Sequence, residues 1–110
     1  MHPRRLGLVF LMALLLAACG VPVRADKIDY VGEWTAPGMY LLITQDGSIA
    51  YYRLKRGAST EIEGPLKGFD GDDFIAGFGP FVSTFEVSSP PHQDGDHWLM
   101  TVDGVELTRY

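Results

Sequence analysis

From residue 28 onward, apolar and polar positions alternate in short runs separated by Gly, Pro and Asp. No segment there shows a convincing helical period, so the pattern predicts short antiparallel strands. The clearest signal is residues 39–45, then Asp46-Gly47, then residues 48–54. Asp-Gly between two such runs predicts a hairpin, because a tight turn needs left-handed backbone angles that these residue types tolerate. A two-residue turn sets Met39, Leu41 and Ile43 opposite Leu54, Tyr52 and Ala50 on one apolar face. It leaves Tyr40, Leu42 and Thr44 with Arg53, Tyr51 and Ile49 on the other; a bulged turn shifts this register by one.

Residues 98–102, Asp103-Gly104 and residues 105–109 repeat the device. Val102 then pairs with Val105 and Met100 with Leu107; Trp98 joins that face, while Thr101, Glu106 and Thr108 take the wet one. Between the hairpins, Phe81, Phe85 and Val87 alternate with Val82, Thr84 and Glu86. Pro90-Pro91 is expected to end that strand, since proline removes a ladder donor. Residues 30–35 predict a first strand, and 60–63 and 74–76 shorter ones. Gly64, Gly68, Gly71, Gly77 and Gly79 mark bends and bulges. About seven short strands imply an all-β domain, an antiparallel meander closed as a small barrel or folded as a sandwich.

The first 18 residues are patterned differently. Arg4 and Arg5 precede an apolar run from Leu6 to Leu16, and Ala17 and Ala18 follow it. This is the order of an export signal: a short helix, cleaved on secretion. The run falls short of the roughly 20 residues that a membrane-spanning helix takes. Leu16-Ala17-Ala18-Cys19 resembles the lipobox of bacterial lipoproteins, in which small residues flank the scissile bond and the thiol takes a diacylglyceryl group. The resemblance implies cleavage between Ala18 and Cys19, lipidation of Cys19 and acylation of its new amino group. Gly20 in the next position, where inner-membrane retention in enteric bacteria uses aspartate, implies sorting to the outer membrane, with the domain facing the periplasm. The alternative is ordinary cleavage after Val23-Arg24-Ala25, which discards Cys19.

The reading thus divides the chain into a signal at 1–18, a lipidated cysteine and tether at 19–27, and one domain at 28–110. Eight extended tether residues reach about 26 Å, so the domain stays close to the headgroups. Cys19 is the single cysteine, and lipid on it leaves no thiol for a disulfide; a domain this small then relies on its apolar core. Cleavage removes two of the nine basic residues and none of the 14 acidic ones, leaving a formal charge of −7. That balance argues against nucleic acid as a partner and against a polybasic grip on lipid.

Gly32-Glu33-Trp34 on the first strand, with Arg109 on the last, is similar to the lipocalin and calycin pattern. That resemblance implies that Trp34 closes one barrel end and Arg109 packs on it as a cation–π pair. The domain is much shorter than a lipocalin, so a structural plug is implied rather than a deep ligand cup.

Asp70-Gly71-Asp72-Asp73 does not keep the EF-hand spacing and reads as a solvated turn. His92, Asp94, Asp96 and His97 read as a surface loop, with no zinc-type spacing. Glu61 and Glu63 share a strand face, as is common on exposed strands. No G-x-S-x-G or H-E-x-x-H motif is present. No catalytic residue, metal site or cofactor is assigned. Phe69, Phe74, Phe78, Phe81 and Phe85 read mainly as core. Tyr40 and Tyr51, on the less buried side of the first hairpin, are the candidates for a partner surface.

The expected role is a lipid-anchored envelope protein, a non-enzymatic binding or accessory module for another envelope protein. The alternatives are a small barrel holding a lipid or other apolar ligand, and an inhibitor of a periplasmic hydrolase acting through a loop at residues 88–96. The latter follows small barrels found among periplasmic protease and lysozyme inhibitors, although the paired cysteines typical of the lysozyme inhibitors are missing here.

Overall fold

A computed structural model describes residues 20–110. The export signal, the bond between Ala18 and Cys19, and Cys19 itself lie outside the described residues.

A 3-10 helix, Ala25–Tyr30, leads into nine strands: β1 (Gly32–Ala36), β2 (Met39–Ile43), β3 (Ser48–Lys55), β4 (Ala58–Asp70), β5 (Asp73–Phe78), β6 (Phe81–Phe85), β7 (Val87–Asp94), β8 (His97–Val102) and β9 (Val105–Arg109). They form one all-antiparallel sheet in the order β6-β5-β4-β3-β2-β1-β9-β8-β7. The sheet curls into a half-barrel. The pairing of β1 with β9, through Thr35 and Thr108, joins the two ends of the meander. The open seam lies between β6 and β7, which are consecutive in the chain.

The predicted strand over residues 81–87 is therefore broken at Glu86, where the chain exchanges β5 for β8 as its partner. Two aspartates fix this corner. The Asp103 carboxylate accepts from the Glu86 N–H at 2.9 Å, and the Asp73 carboxylate accepts from the Val87 N–H at 2.7 Å. Pro90-Pro91 does not end the strand as expected. β7 runs through both prolines with register shifts on either side of Ser89. It can do so because it is an edge strand, whose outward side needs no donors. Residues 88–94 are accordingly paired strand and not loop.

Identical Asp-Gly dipeptides make two different turns. At Asp103-Gly104 both residues have positive φ, +47° and +79°, the two-residue turn that matches strand twist. The predicted pairs Val102–Val105 and Met100–Leu107 are present. The first hairpin instead closes over three residues, Gln45, Asp46 and Gly47, with only Gly47 left-handed at +93°. The Ser48 N–H donates to the Thr44 hydroxyl and the Thr44 N–H to the Ser48 carbonyl. That turn shifts the register by one, so Ile43 faces Ile49, Leu41 faces Tyr51, and Tyr40 faces Tyr52.

The concave side buries Trp34, Met39, Leu41, Ile43, Ile49, Tyr51, Leu66, Phe74, Phe85, Met100, Val102 and Leu107. Phe85 stacks on Phe74 at 4.8 Å and Tyr51 meets Phe85 edge-on at 5.1 Å. These apolar side chains pack against one another on the concave side, and four recesses among the described residues are open grooves.

The segment expected to be a free tether is also packed. Gly20 and Val21 N–H donate to the carbonyls of Gly47 and Leu66, and Val23 N–H to that of Gln45. Val23 is buried. Among the described residues no helix is long and apolar enough to cross a membrane.

Candidate functional site

The two residues that the calycin resemblance singles out do meet. Trp34 is fully buried, and the Arg109 guanidinium lies 4.6 Å from its ring centroid and 5.0 Å from that of Trp98. Arg109 Nη1 donates to the carbonyls of Asp29 (2.5 Å) and Val31 (2.6 Å), just before β1. The Trp34 indole N–H donates to the Tyr30 carbonyl at 2.8 Å. Glycine at position 32 leaves the room for this, because a Cβ there would sit 2.5 Å from Arg109 Cδ. The Trp34 indole N–H and Arg109 Nη1 are both directed at backbone carbonyls, so the cluster ties β9 to the segment that leads into β1, with Arg109 also lining a surface groove beside Glu33 and Tyr110. Burial pulls Arg109 below the usual arginine pKa, with Asp29 opposing.

Tyr30 extends the cluster. Its ring packs edge-on against Phe69 at 5.0 Å and Phe74 at 6.3 Å, and its hydroxyl donates to the Asp72 carbonyl at 2.8 Å. Burial, then the Asp72 and Asp73 carboxylates, push its pKa up from 10.0 to about 12. Lys27 Nζ covers the Tyr30 and Phe69 rings from outside and donates to the Gly71 carbonyl at 2.8 Å. The Asp70–Asp73 stretch is thus a structural turn, tied to the helix through its backbone.

The two candidate surface tyrosines part company. Tyr40 stays half-buried on the convex face, whereas Tyr51 is 6% exposed and faces the core. The one-residue register shift is the cause. It puts Tyr52 beside Tyr40, with Glu61 as the next residue of the same rung. A neighbouring rung carries Leu42, Ala50 and Glu63.

Sequence reasoning favoured the core for Phe78 and Phe81, and the structure places them at the surface. Phe78, Phe81 and Val82 are 61%, 85% and 48% exposed at the tip of the β5–β6 hairpin, while Phe69, Phe74 and Phe85 turn inward. Gly79-Pro80 carries the signal that could have found them, since residues flanking a tight turn have few neighbours to bury them. Phe78 lines one recess of about 280 Å³ with Leu42, Ala50, Glu63 and Pro65, and a second of about 520 Å³ with Glu61, Ile62, Glu63, Phe81 and Val82.

At the β7–β8 turn, His97 lies 3.7 Å from Asp94 and 3.0 Å from Asp96, while the His92 ring bonds the Pro90 carbonyl. The hydrogen bond from His97 holds the Asp96 carboxyl below its usual pKa. Among the described residues no group of three or more His, Cys, Asp or Glu is arranged to hold a metal ion. No family model matches the chain, and no curated protein or solved structure matches it significantly.

Proposed function

We propose that this chain is a lipid-anchored envelope protein, whose β domain is a non-enzymatic module that binds another envelope protein through its convex face. The carrying observation is the exposed apolar group Phe78, Phe81 and Val82, which shares a recess with Glu61 and Glu63, the same residues that border Tyr40 and Tyr52, on a domain whose concave side is packed with apolar side chains. Apolar side chains grouped at the surface of a packed domain are the usual mark of a docking face. With the concave side occupied, the binding surface is the convex one rather than an interior cup.

The anchor rests on Leu16-Ala17-Ala18-Cys19. In a chain beginning at Cys19, one peptide link separates the lipid from the Gly20–Gly47 hydrogen bond. A lipid there holds the β2–β3 turn against the headgroups with little free tether.

Two measurements test the proposal. Cys19→Ala abolishes labelling by an alkynyl fatty acid and moves the protein from membrane to soluble fractions; retained labelling would falsify the anchor. For the module, cross-linking in intact cells yields a defined adduct that Tyr40→Ala and Phe81→Ser each reduce. An adduct unchanged in both variants assigns the contact to another surface and sinks the reading.

A further inference from the structure

β4 is the longest strand, and its two halves have different partners. β5 pairs with it from Leu66 to Asp70, whereas Ala58 to Pro65 have β3 alone. The direction of the free groups follows from two hydrogen bonds. Leu54 N–H donates to the Gly38 carbonyl, away from β4, and Leu66 N–H donates to Gly47, on the β3 side. In an antiparallel ladder this alternation runs along the strand. Even-numbered residues of β4 therefore bond to β3, and Ser59, Glu61 and Glu63 direct their N–H and C=O to the open side.

The β5–β6 hairpin tip ends this open edge and forms a notch of about 520 Å³ lined by Glu61, Ile62, Glu63, Phe78, Phe81 and Val82. Three features coincide there: unpaired strand backbone, exposed aromatic surface, and two carboxylates. Neither Glu61 nor Glu63 has an ion-pair partner among the described residues.

We propose that the notch receives an extended segment of a partner protein as an added strand along residues 58–63 of β4. A lysine or arginine of that segment lies beside Glu61 and Glu63, and apolar residues lie against Phe78 and Phe81. Strand addition supplies affinity through main-chain bonds and selectivity through alternate side chains. The charge pattern selects the occupant. A second copy paired antiparallel along the same edge brings Glu61 and Glu63 against their own equivalents, and like charges across strands are destabilising. A cationic segment meets the same two carboxylates favourably, and a cation is further attracted to an aromatic face. Of the sheet's two terminal strands, β7 is blunted by Pro90-Pro91 and β6 carries no charged residue, so the open part of β4 is the edge whose carboxylates can select a cationic strand.

This inference rests on the protein-binding reading and is independent of the lipid anchor. Its test uses the full-length chain in detergent and a fluorescent acetylated hexapeptide, Val-Lys-Val-Lys-Val-Thr, at low salt. Anisotropy shows binding that is weakened about tenfold by Glu61→Lys with Glu63→Lys, two cross-strand charge pairs being reversed. The double variant keeps the parent's circular dichroism and gains affinity for the peptide with glutamates in place of lysines. Methylating alternate backbone amides of the peptide on its docking edge abolishes binding. Equal affinity for the lysine and glutamate peptides overturns the proposal, as does binding that survives amide methylation. So does a wild-type dimer that Glu61→Lys disrupts. Failure here alongside an intact Tyr40-dependent adduct in cells rejects the notch and leaves the convex-face module standing.

Discussion

Arg109 shows how much structure one side chain can carry in a small domain. Its guanidinium is held between two indole rings while it bonds two carbonyls ahead of β1. Arg109→Ala removes both roles and is expected to cost about 2–3 kcal/mol in urea unfolding. Arg109→Lys keeps the charge, but not the planar fork, and loses about half of that. Tyr30 sets an alkaline limit. It ionises near 10.0 when exposed and near 12 when folded, so the folded chain holds the proton more tightly. Its contribution is complete below pH 10 and is lost as pH rises toward 12, by up to about 2 kcal/mol. Tyr30→Phe is expected to flatten the fall in stability over that window, and an unchanged slope would show that another group controls it.

At the scale of elements, the hairpins differ in what fixes them. Gly104 has open space around it, so Gly104→Ala meets only the penalty of its left-handed backbone, about 1 kcal/mol. Gly77, at φ +142°, has the Phe81 carbonyl 2.1 Å and Val82 Cα 2.8 Å from where a Cβ would lie. Gly77→Ala is therefore expected to cost more than about 3 kcal/mol or to detach the β5–β6 hairpin. Gly47 has the Val21 carbonyl 2.3 Å from its Cβ position. Gly47→Ala should free residues 20–23 before it unfolds the domain, seen as selective proteolysis after Arg24. Such a result would convert the packed leader back into the free tether that its composition suggests. Nothing in residues 20–27 announces packing, because the partners of Gly20, Val21 and Val23 are backbone atoms at positions 45, 47 and 66.

For the molecule as a whole, the open seam divides stability unevenly. β1, β2 and β9 have neighbours on both sides and bury Trp34, Leu41 and Leu107, whereas β6 has β5 alone. Amide exchange should therefore be slowest in β1, β2 and β9, near the global unfolding free energy, and fast at Val82 and Thr84 on the uncovered edge. Protection of Val82 and Thr84 equal to that of Leu41 would mean that the seam is closed in solution. A partner strand seated in the notch should slow exchange at Ser59, Glu61 and Glu63 without changing that order.

The all-β class, the two hairpins, the C-terminal register and the Trp34–Arg109 pair were legible in the sequence. Each depends on near neighbours in the chain or on a residue pattern: alternation fixes a face, and Asp-Gly fixes a turn. The first hairpin's register was not legible, because the same dipeptide admits a two- or three-residue turn. The Thr44 hydroxyl, with the leader bound across the turn, settles it in favour of three. That single step sends Tyr51 into the core and leaves Tyr52 beside Tyr40. Whether Pro90-Pro91 ends a strand or blunts an edge was equally beyond a local reading, since it depends on which side of β7 has a neighbour. Local chemistry determined what kinds of strand this chain makes. Only the tertiary structure decided which edges stayed open, because an edge is defined by the neighbour it lacks.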